Sequence, residues 1–229
     1  MKTTDTISIK GLSKSLGDFN LNIPELSLQK NALHGIIGAN GCGKTTLFKL
    51  VAGLMQPDTG TITHGLDPQN ITMLFRKPYM INDTVENNLR YPYKLRKIKP
   101  DPAQLDHYLT LAGLVDKRHQ NARALSGGAM QKLALVRALS FSPKLILLDE
   151  SFSNMDIESV AFFEDYILSA QQELNATWLI ISHQLSNIKR LCSHTHFMHQ
   201  GRVQLSDSTE HVFEQPQTEE LKRFLRYYA

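Results

Sequence analysis

What the 229-residue chain lacks narrows it first. It has two cysteines, Cys42 and Cys192, too few for a disulfide framework, and a reducing compartment fits. No run approaches the ~18 consecutive apolar residues that a membrane-spanning helix requires. The densest are Leu145-Ile146-Leu147-Leu148 and Trp178-Leu179-Ile180-Ile181. Residues 1–10 hold no apolar core of a leader, so no secretory signal is expected. An excess of one charge is also missing: 25 Lys and Arg against 22 Asp and Glu leave +3, too little to argue for nucleic acid. With only 13 Gly and 9 Pro, low-complexity and collagen-like chains are excluded. Hydrophobic residues at 41% and charged residues at 21% fit an ordinary globular chain of one domain, or one domain with an inserted lobe. No internal repeat is visible.

Strand-like runs open the sequence at 6–10, 19–23 and Leu33–Ile37. A glycine-rich segment follows, then a helix over 44–52 with Leu47, Leu50, Val51 and Leu54 at helical spacing. Further strands are expected at 61–64 and 71–75. Over 85–140 the helical period dominates: Asp101-Pro102-Ala103-Gln104 supplies an N-cap, a first-position Pro and a capping-box Gln. A second helix begins at Ser126 and is apolar nearly all round, so it should pack on several sides. The continuous runs 145–148 and Thr177–Ile181 suit strands buried on both faces. Between them 157–174 reads as helical. A hairpin turned at Gln200-Gly201 and a last helix over 218–228 close the chain. The alternation predicts an α/β fold with a largely parallel sheet, an N-terminal β region and a helical lobe at 85–140 inserted between the core segments 1–84 and 141–229.

Gly38-Ala39-Asn40-Gly41-Cys42-Gly43-Lys44-Thr45 matches G-x-x-x-x-G-K-[ST] at every position. Glycines let backbone N–H groups turn inward on phosphate oxygens, and the following helix directs its positive end at them. Lys44 would reach the β- and γ-phosphates, and the Thr45 hydroxyl would meet Mg²⁺. The partner motif is Leu145 to Leu148 followed by Asp149-Glu150. A carboxylate ending a buried strand beside such a loop can hold Mg²⁺. Glu150, immediately after it, is placed to polarise an attacking water. These two motifs together point to a nucleoside triphosphatase.

Leu125-Ser126-Gly127-Gly128 narrows the class. With Lys44, Ser126, Asp149 and His183 in that order, the chain resembles the ATP-binding-cassette (ABC) ATPases over about residues 5–215. The resemblance implies a P-loop NTPase fold with ATP and Mg²⁺ as ligands. ATP would contact Gly38, Ala39, Asn40, Gly41, Cys42, Gly43, Lys44, Thr45 and Thr46, with Leu16 at the position of the base-stacking aromatic. Mg²⁺ would lie on Thr45 and Asp149, and Glu150 and His183 would be catalytic. It implies a head-to-tail homodimer in which Ser126, Gly127 and Gly128 close on the nucleotide of the opposite copy. Asp156, in Ser153-Asn154-Met155-Asp156, would lie at that interface and can also cap the next helix.

Four positions depart from the family pattern. Leu16 offers apolar contact without stacking, or Phe19 substitutes for it. Arg76 stands where a Gln normally meets metal and water, yet a guanidinium has only donors. It would instead pair with the γ-phosphate or with an acidic group of a membrane partner. Ala129 and Ser151 replace a usual Gln and Pro. The resemblance further implies the ATP-hydrolysing subunit of an importer, cytoplasmic and peripheral on the inner face of the membrane. Its partners would be a transmembrane permease and a solute-binding protein, with no nucleic acid. The coupling surface would lie around 76–82 and the adjacent lobe. Residues 77–96 resemble subunits for small oxyanions such as tungstate. Two alternatives stand beside this: a soluble ABC ATPase of translation or DNA repair, and a weakly hydrolysing nucleotide-binding regulator.

Smaller signals have plain structural readings beside them. N–H dipoles around Cys42 could lower its thiol pKa, though a small residue also simply fits such a loop. His194, His196 and His199 suggest a metal site only if further ligands join them. Tyr91, Tyr93, Lys94, Arg96, Lys97 and Lys99 form a basic aromatic segment that could meet lipid headgroups or RNA, or just solvent.

Overall fold

A computed structural model describes residues 6–153 and 155–228. Residues 1–5, half of the stretch read for a leader, and Asn154 lie outside the described residues. The chain opens with β1 (Thr6–Leu16), β2 (Phe19–Gln29), β3 (Leu33–Ile37), α1 (Lys44–Val51), β4 (Thr59–Thr63) and β5 (Ile71–Leu74). Three helices follow: α2 (Val85–Leu95), α3 (Pro102–Leu111) and α4 (Gly127–Leu139). Then come β6 (Leu145–Asp149), α5 (Ile157–Leu174), β7 (Thr177–Ile181), α6 (Leu185–Leu191), β8 (His194–His199) and β9 (Arg202–Ser208). Two helices, α7 (Thr209–Glu214) and α8 (Glu219–Tyr228), end it.

A three-stranded antiparallel sheet, β2-β1-β4, faces a six-stranded sheet of order β5-β6-β7-β3-β8-β9. The larger sheet is parallel except for β8–β9. Strand alternation sorts each central strand between two cores. Leu145 and Leu147 of β6, with Leu179 and Ile181 of β7, join α1 and the small sheet in one core. Ile146, Leu148, Trp178 and Ile180 enter the other core, with α4 and α5. Helix α1 is thereby sandwiched through Leu47, Phe48, Leu50 and Val51, which rigidly places the loop before it.

β1 and β2 extend six residues beyond the sequence expectation. Their buried positions change parity midway: Ile7 and Ile9 give way to Leu12, and Leu21 and Ile23 to Leu26 and Leu28. Gly11 sits at the break with φ +56, where pairing with β4 also shifts register. Such a kink interrupts the period-2 signal. Asp101 caps α3 by accepting from the Ala103 N–H at 3.0 Å. Gln104 does not complete the capping box; its side-chain amide lies against the Tyr93 hydroxyl at 3.1 Å. Helices α6 and α7 escaped the sequence reading because neither is long enough to display a period.

His34 of β3 and His196 of β8 are buried side by side, Nδ1 to Nε2, at 3.0 Å. His34 Nε2 faces the Gln29 carbonyl at 2.9 Å, a pure acceptor, so that nitrogen carries the proton. His34 Nδ1 then accepts from His196 Nε2–H, and His196 Nδ1 accepts from the Ser206 hydroxyl. All four nitrogens are engaged with both rings neutral. Burial, reinforced by neighbouring histidines, lowers His34 to about 4 and His196 to about 3. His196 is therefore committed to the sheet, and among the described residues no three His, Cys, Asp or Glu side chains form a metal-binding group. Unfolded histidines titrate near 6.5, so the unfolded chain takes up protons first as pH falls. Stability is fully present above about pH 6.5 and declines from there towards pH 4, by at most about 1.4 kcal/mol per pH unit per histidine. The urea midpoint should drop between pH 7 and pH 5, and His196→Gln should flatten that slope. Equal wild-type midpoints at the two pH values would contradict the neutral pair.

Candidate functional site

The C-terminal ends of β3, β6 and β7 converge on one cleft edge, where ligands of open α/β sheets bind. After Ile37 the chain turns through Gly38 to Gly43 into α1. Gly43 caps α1 at φ +106 with no side-chain hydrogen bond, leaving the first-turn N–H groups without a side-chain acceptor. The Lys44 ammonium folds back and donates to the Gly38 carbonyl at 2.6 Å and the Ala39 carbonyl at 3.0 Å. Asn40 and Gly41 are exposed, and Thr46 is half-buried in the first turn of α1. Cys42 is buried beside Lys44, and burial raises its thiol pKa; a reactive thiolate is not favoured there.

Two supports of the loop were invisible in the sequence. The Phe19 ring and Leu21 lie so close to Gly43 that a Cβ there would meet them at 2.8 and 2.9 Å. Gly201, in the β8–β9 turn, donates its N–H to the Cys42 carbonyl at 3.1 Å and accepts from the Asn22 N–H at 2.8 Å. Phe19, Asn40 and Gly41 wall a cleft of about 420 Å³ beside the loop. Leu16 is not among its walls and is exposed at the hairpin end, paired to Phe19. Of the two base-contact candidates, Phe19 is the one at the loop.

The Thr45 hydroxyl donates to both carboxylate oxygens of Asp149, at 3.1 and 3.0 Å. Burial raises the Asp149 pKa, with Glu150 beside it adding to the effect. These hard oxygen donors suit Mg²⁺, which usually takes one or two protein ligands and completes its shell with phosphates and water. Next to them, Glu150 adopts φ +52, and its N–H donates to the Ile181 carbonyl at 3.0 Å. That unusual backbone turns its side chain across the strand ends: Oε1 lies 2.6 Å from His183 Nε2, and Oε2 lies 3.2 Å from an Arg76 guanidinium nitrogen. Arg76 thus pairs with Glu150 itself, a partner the sequence reading did not consider. Gln131 of α4 donates to the Arg76 carbonyl at 2.8 Å.

Ser126 caps α4, its hydroxyl accepting from the Ala129 N–H at 3.4 Å. Ser126 and Gly127 are exposed. Gly128 packs near Asp156 and Ser159 at the start of α5, where Asp156 accepts from the Ser159 N–H at 2.7 Å. That bond holds the Asp156 carboxyl below its usual range. No hydrogen bond joins the described residues 126–128 to the phosphate loop of the same chain. Ser151 donates to the Leu74 carbonyl at 3.5 Å, so its hydroxyl is accommodated where the family has Pro. In the basic segment, the Tyr93 hydroxyl donates to the Ser140 carbonyl, and Arg96 stacks over Phe141 at 3.7 Å while donating to Gln69 and Pro92 carbonyls. Those two side chains fasten α2 to Ser140 and Phe141 beyond α4 and to Gln69 before β5.

Comparison with known proteins agrees with this geometry. The ABC transporter family profile matches residues 21–153. The tungstate uptake system ATP-binding protein TupC of Peptoclostridium acidaminophilum is 34% identical, over 88% of this chain and 98% of that protein. A methionine import ATP-binding protein, MetN 1 of Bacillus thuringiensis, is 32% identical over 88% of this chain. The matched segment spans 64% of that longer relative. Among solved structures, cbiO1 of Clostridium perfringens, part of the transporter complex cbiONQ, superposes with a TM-score of 0.78. It covers 96% of this chain and 94% of its own, at 22% identity, and so speaks to the fold. The loop before α1, the paired Thr45 and Asp149, and these matches make the chain a member of the ABC transporter family of ATP-binding proteins, which are ATPases.

Proposed function

We propose that this chain is the ATP-hydrolysing subunit of an importer for a small solute, with small oxyanions of the tungstate kind the favoured class. The observation that carries the enzymatic part is the meeting of Thr45, Asp149, Glu150 and His183 at adjacent strand ends. The oxyanion class is supported by the tungstate relative, which this chain matches almost end to end.

In this reading Lys44 exchanges its two backbone carbonyls for β- and γ-phosphate oxygens as ATP enters. The uncapped first turn of α1 donates N–H groups to the same phosphates. Thr45 and Asp149 would hold Mg²⁺, which would supply positive charge to the phosphates. Glu150 accepts a proton from the attacking water, and His183 fixes the Glu150 side chain from the other side. Phe19 offers an apolar wall to the base in place of Leu16. The exposed helix start at Ser126 and Gly127 serves the nucleotide of a second copy, which is supported by its lack of bonds to its own loop.

The lobe over 85–140 supplies the docking surface for a transmembrane permease. Among the described residues no helix is long and apolar enough to cross a membrane. A groove of about 520 Å³ lies between β5 and the lobe, with Phe75, Tyr79, Tyr91 and Leu95 among its exposed apolar walls. The chain would then sit on the cytoplasmic side, beside a permease fed by a solute-binding protein. Two measurements test the proposal. Mg-dependent phosphate release from ATP by the purified protein should stop on adding EDTA. Extraction of membranes with mild detergent should bring a multi-span protein down with this chain; recovery with ribosomes or DNA instead would overturn the transport reading.

A further inference from the structure

Parallel pairing sets Leu74 of β5 against Leu148 of β6, so two residues further on Arg76 arrives beside Glu150. We propose that Arg76 is a positioning residue that latches Glu150 and keeps basal ATP turnover low until the segment 75–81 is displaced from the groove side. The inference rests on the reading of Glu150 as the water-activating carboxylate.

Both Glu150 oxygens are covered in this arrangement. His183 takes Oε1, and the guanidinium of Arg76 sits against Oε2. Oε2 is buried there without an aligned hydrogen bond, so Arg76 shields it from water while offering charge rather than a directional bond. The Arg76 side chain is 57% exposed, which makes the pair weak, screened by salt and easily opened. Gln131 grips the Arg76 carbonyl with its amide N–H, yet its own Oε1 is buried without a partner. An unpaired buried acceptor such as Gln131 Oε1 costs free energy that a shift of this segment can recover.

The latch is wired to the places that would release it. Phe75 and Tyr79, on either side of Arg76, line the groove. The Tyr79 carbonyl accepts from Arg137 of α4 at 2.8 Å, and the Met80 carbonyl from Arg123 just before α4 at 3.1 Å. The segment carrying Arg76 is therefore held at three carbonyls by side chains on α4 and its approach, the helix whose start bears Ser126. A shift of the segment against α4 moves the guanidinium off Oε2 and opens that oxygen to water.

Steady-state turnover of the purified chain tests this. Arg76→Gln should raise kcat about 2- to 5-fold, the range set by an exposed ion pair, with KM for ATP within about twofold of wild type. Raising NaCl from about 50 to 500 mM should increase wild-type kcat and leave Arg76→Gln unmoved, because only the former has a pair to screen. Arg76→Lys, which keeps the charge, should stay closer to wild type. Thermal unfolding of each variant shows that it is folded. If Glu150→Gln is inactive while Arg76→Gln is no faster than wild type, the latch is wrong and the role of Glu150 stands. If Glu150→Gln turns over like wild type, the role of Glu150 fails and the latch falls with it.

Discussion

Glu150→Gln should leave ATP binding intact and cut phosphate release by about 10²- to 10⁴-fold, the usual contribution of a positioned general base. The substitution is nearly isosteric. Its amide oxygen can still meet His183, at the position where Oε1 now lies 2.6 Å from Nε2. What disappears is the capacity to take a proton from water. Binding should survive because the contacts expected for phosphate come from Lys44 and the first turn of α1, neither of which touches the Glu150 side chain. A fluorescent ATP analogue should bind with wild-type affinity while steady-state phosphate release approaches background. With turnover stopped, ATP should hold the variant as a dimer, doubling its mass in size-exclusion chromatography with light scattering. Undiminished turnover would remove Glu150 from the reaction.

Gly38→Ala is expected to be the most damaging single-methyl change. Gly38 has φ +149, and a Cβ there would stand 2.2 Å from the Met198 carbonyl oxygen and 2.9 Å from Cys42 Sγ. Met198 is fully buried on β8, so its carbonyl cannot step aside without parting β8 from β3. Backbone strain of about 1–3 kcal/mol and overpacking of about 1–3 kcal/mol together reach a large share of a typical domain's stability of about 5–15 kcal/mol. The urea midpoint should fall accordingly. Turnover should fall further still, because the Gly38 carbonyl is also the nearer of the two acceptors that position Lys44. Gly41→Ala is the matched control. Its φ of +77 is equally unfavourable to a side chain, yet nothing lies within 4 Å of the added methyl. Its cost should stay near 1 kcal/mol, the low end for a strained backbone. Equal losses at the two positions would mean that conformation alone, without the clash at Met198, governs the loop.

The phosphate loop was legible because its chemistry is contiguous. The backbone N–H groups, the Lys and the Thr that would meet phosphate all belong to adjacent residues. Asp149 and Glu150 were legible for a related reason: a four-residue apolar run ending in two carboxylates has few other structural readings once a phosphate loop precedes it. Strand and helix positions followed where an apolar run was continuous, as in β6 and β7, or a pattern ran unbroken, as in α5. They failed where it did not: Gly11 ends the alternation of β1, and α6 and α7 are too short to show a period.

Pairing across the sheet carried the rest. Arg76 could be read only as a departure, since its partner is 74 residues away and becomes a neighbour through the Leu74–Leu148 register. His183 was named by the resemblance, but its contact with Glu150 comes from register, because Ile181 lies beside Asp149 in β7. Phe19 and Gly201 support the phosphate loop from a hairpin end and a distant turn that no spacing rule connects to it. His196, which the sequence tied to a metal only if further ligands joined it, is half of a neutral pair, because β3 and β8 are adjacent. The absence of long apolar runs, noted at the outset, was a property of composition and needed no folding to be read. Which charged groups face one another was decided by strand order, a long-range outcome of burying two sheets and α1 together that local residue pattern does not encode.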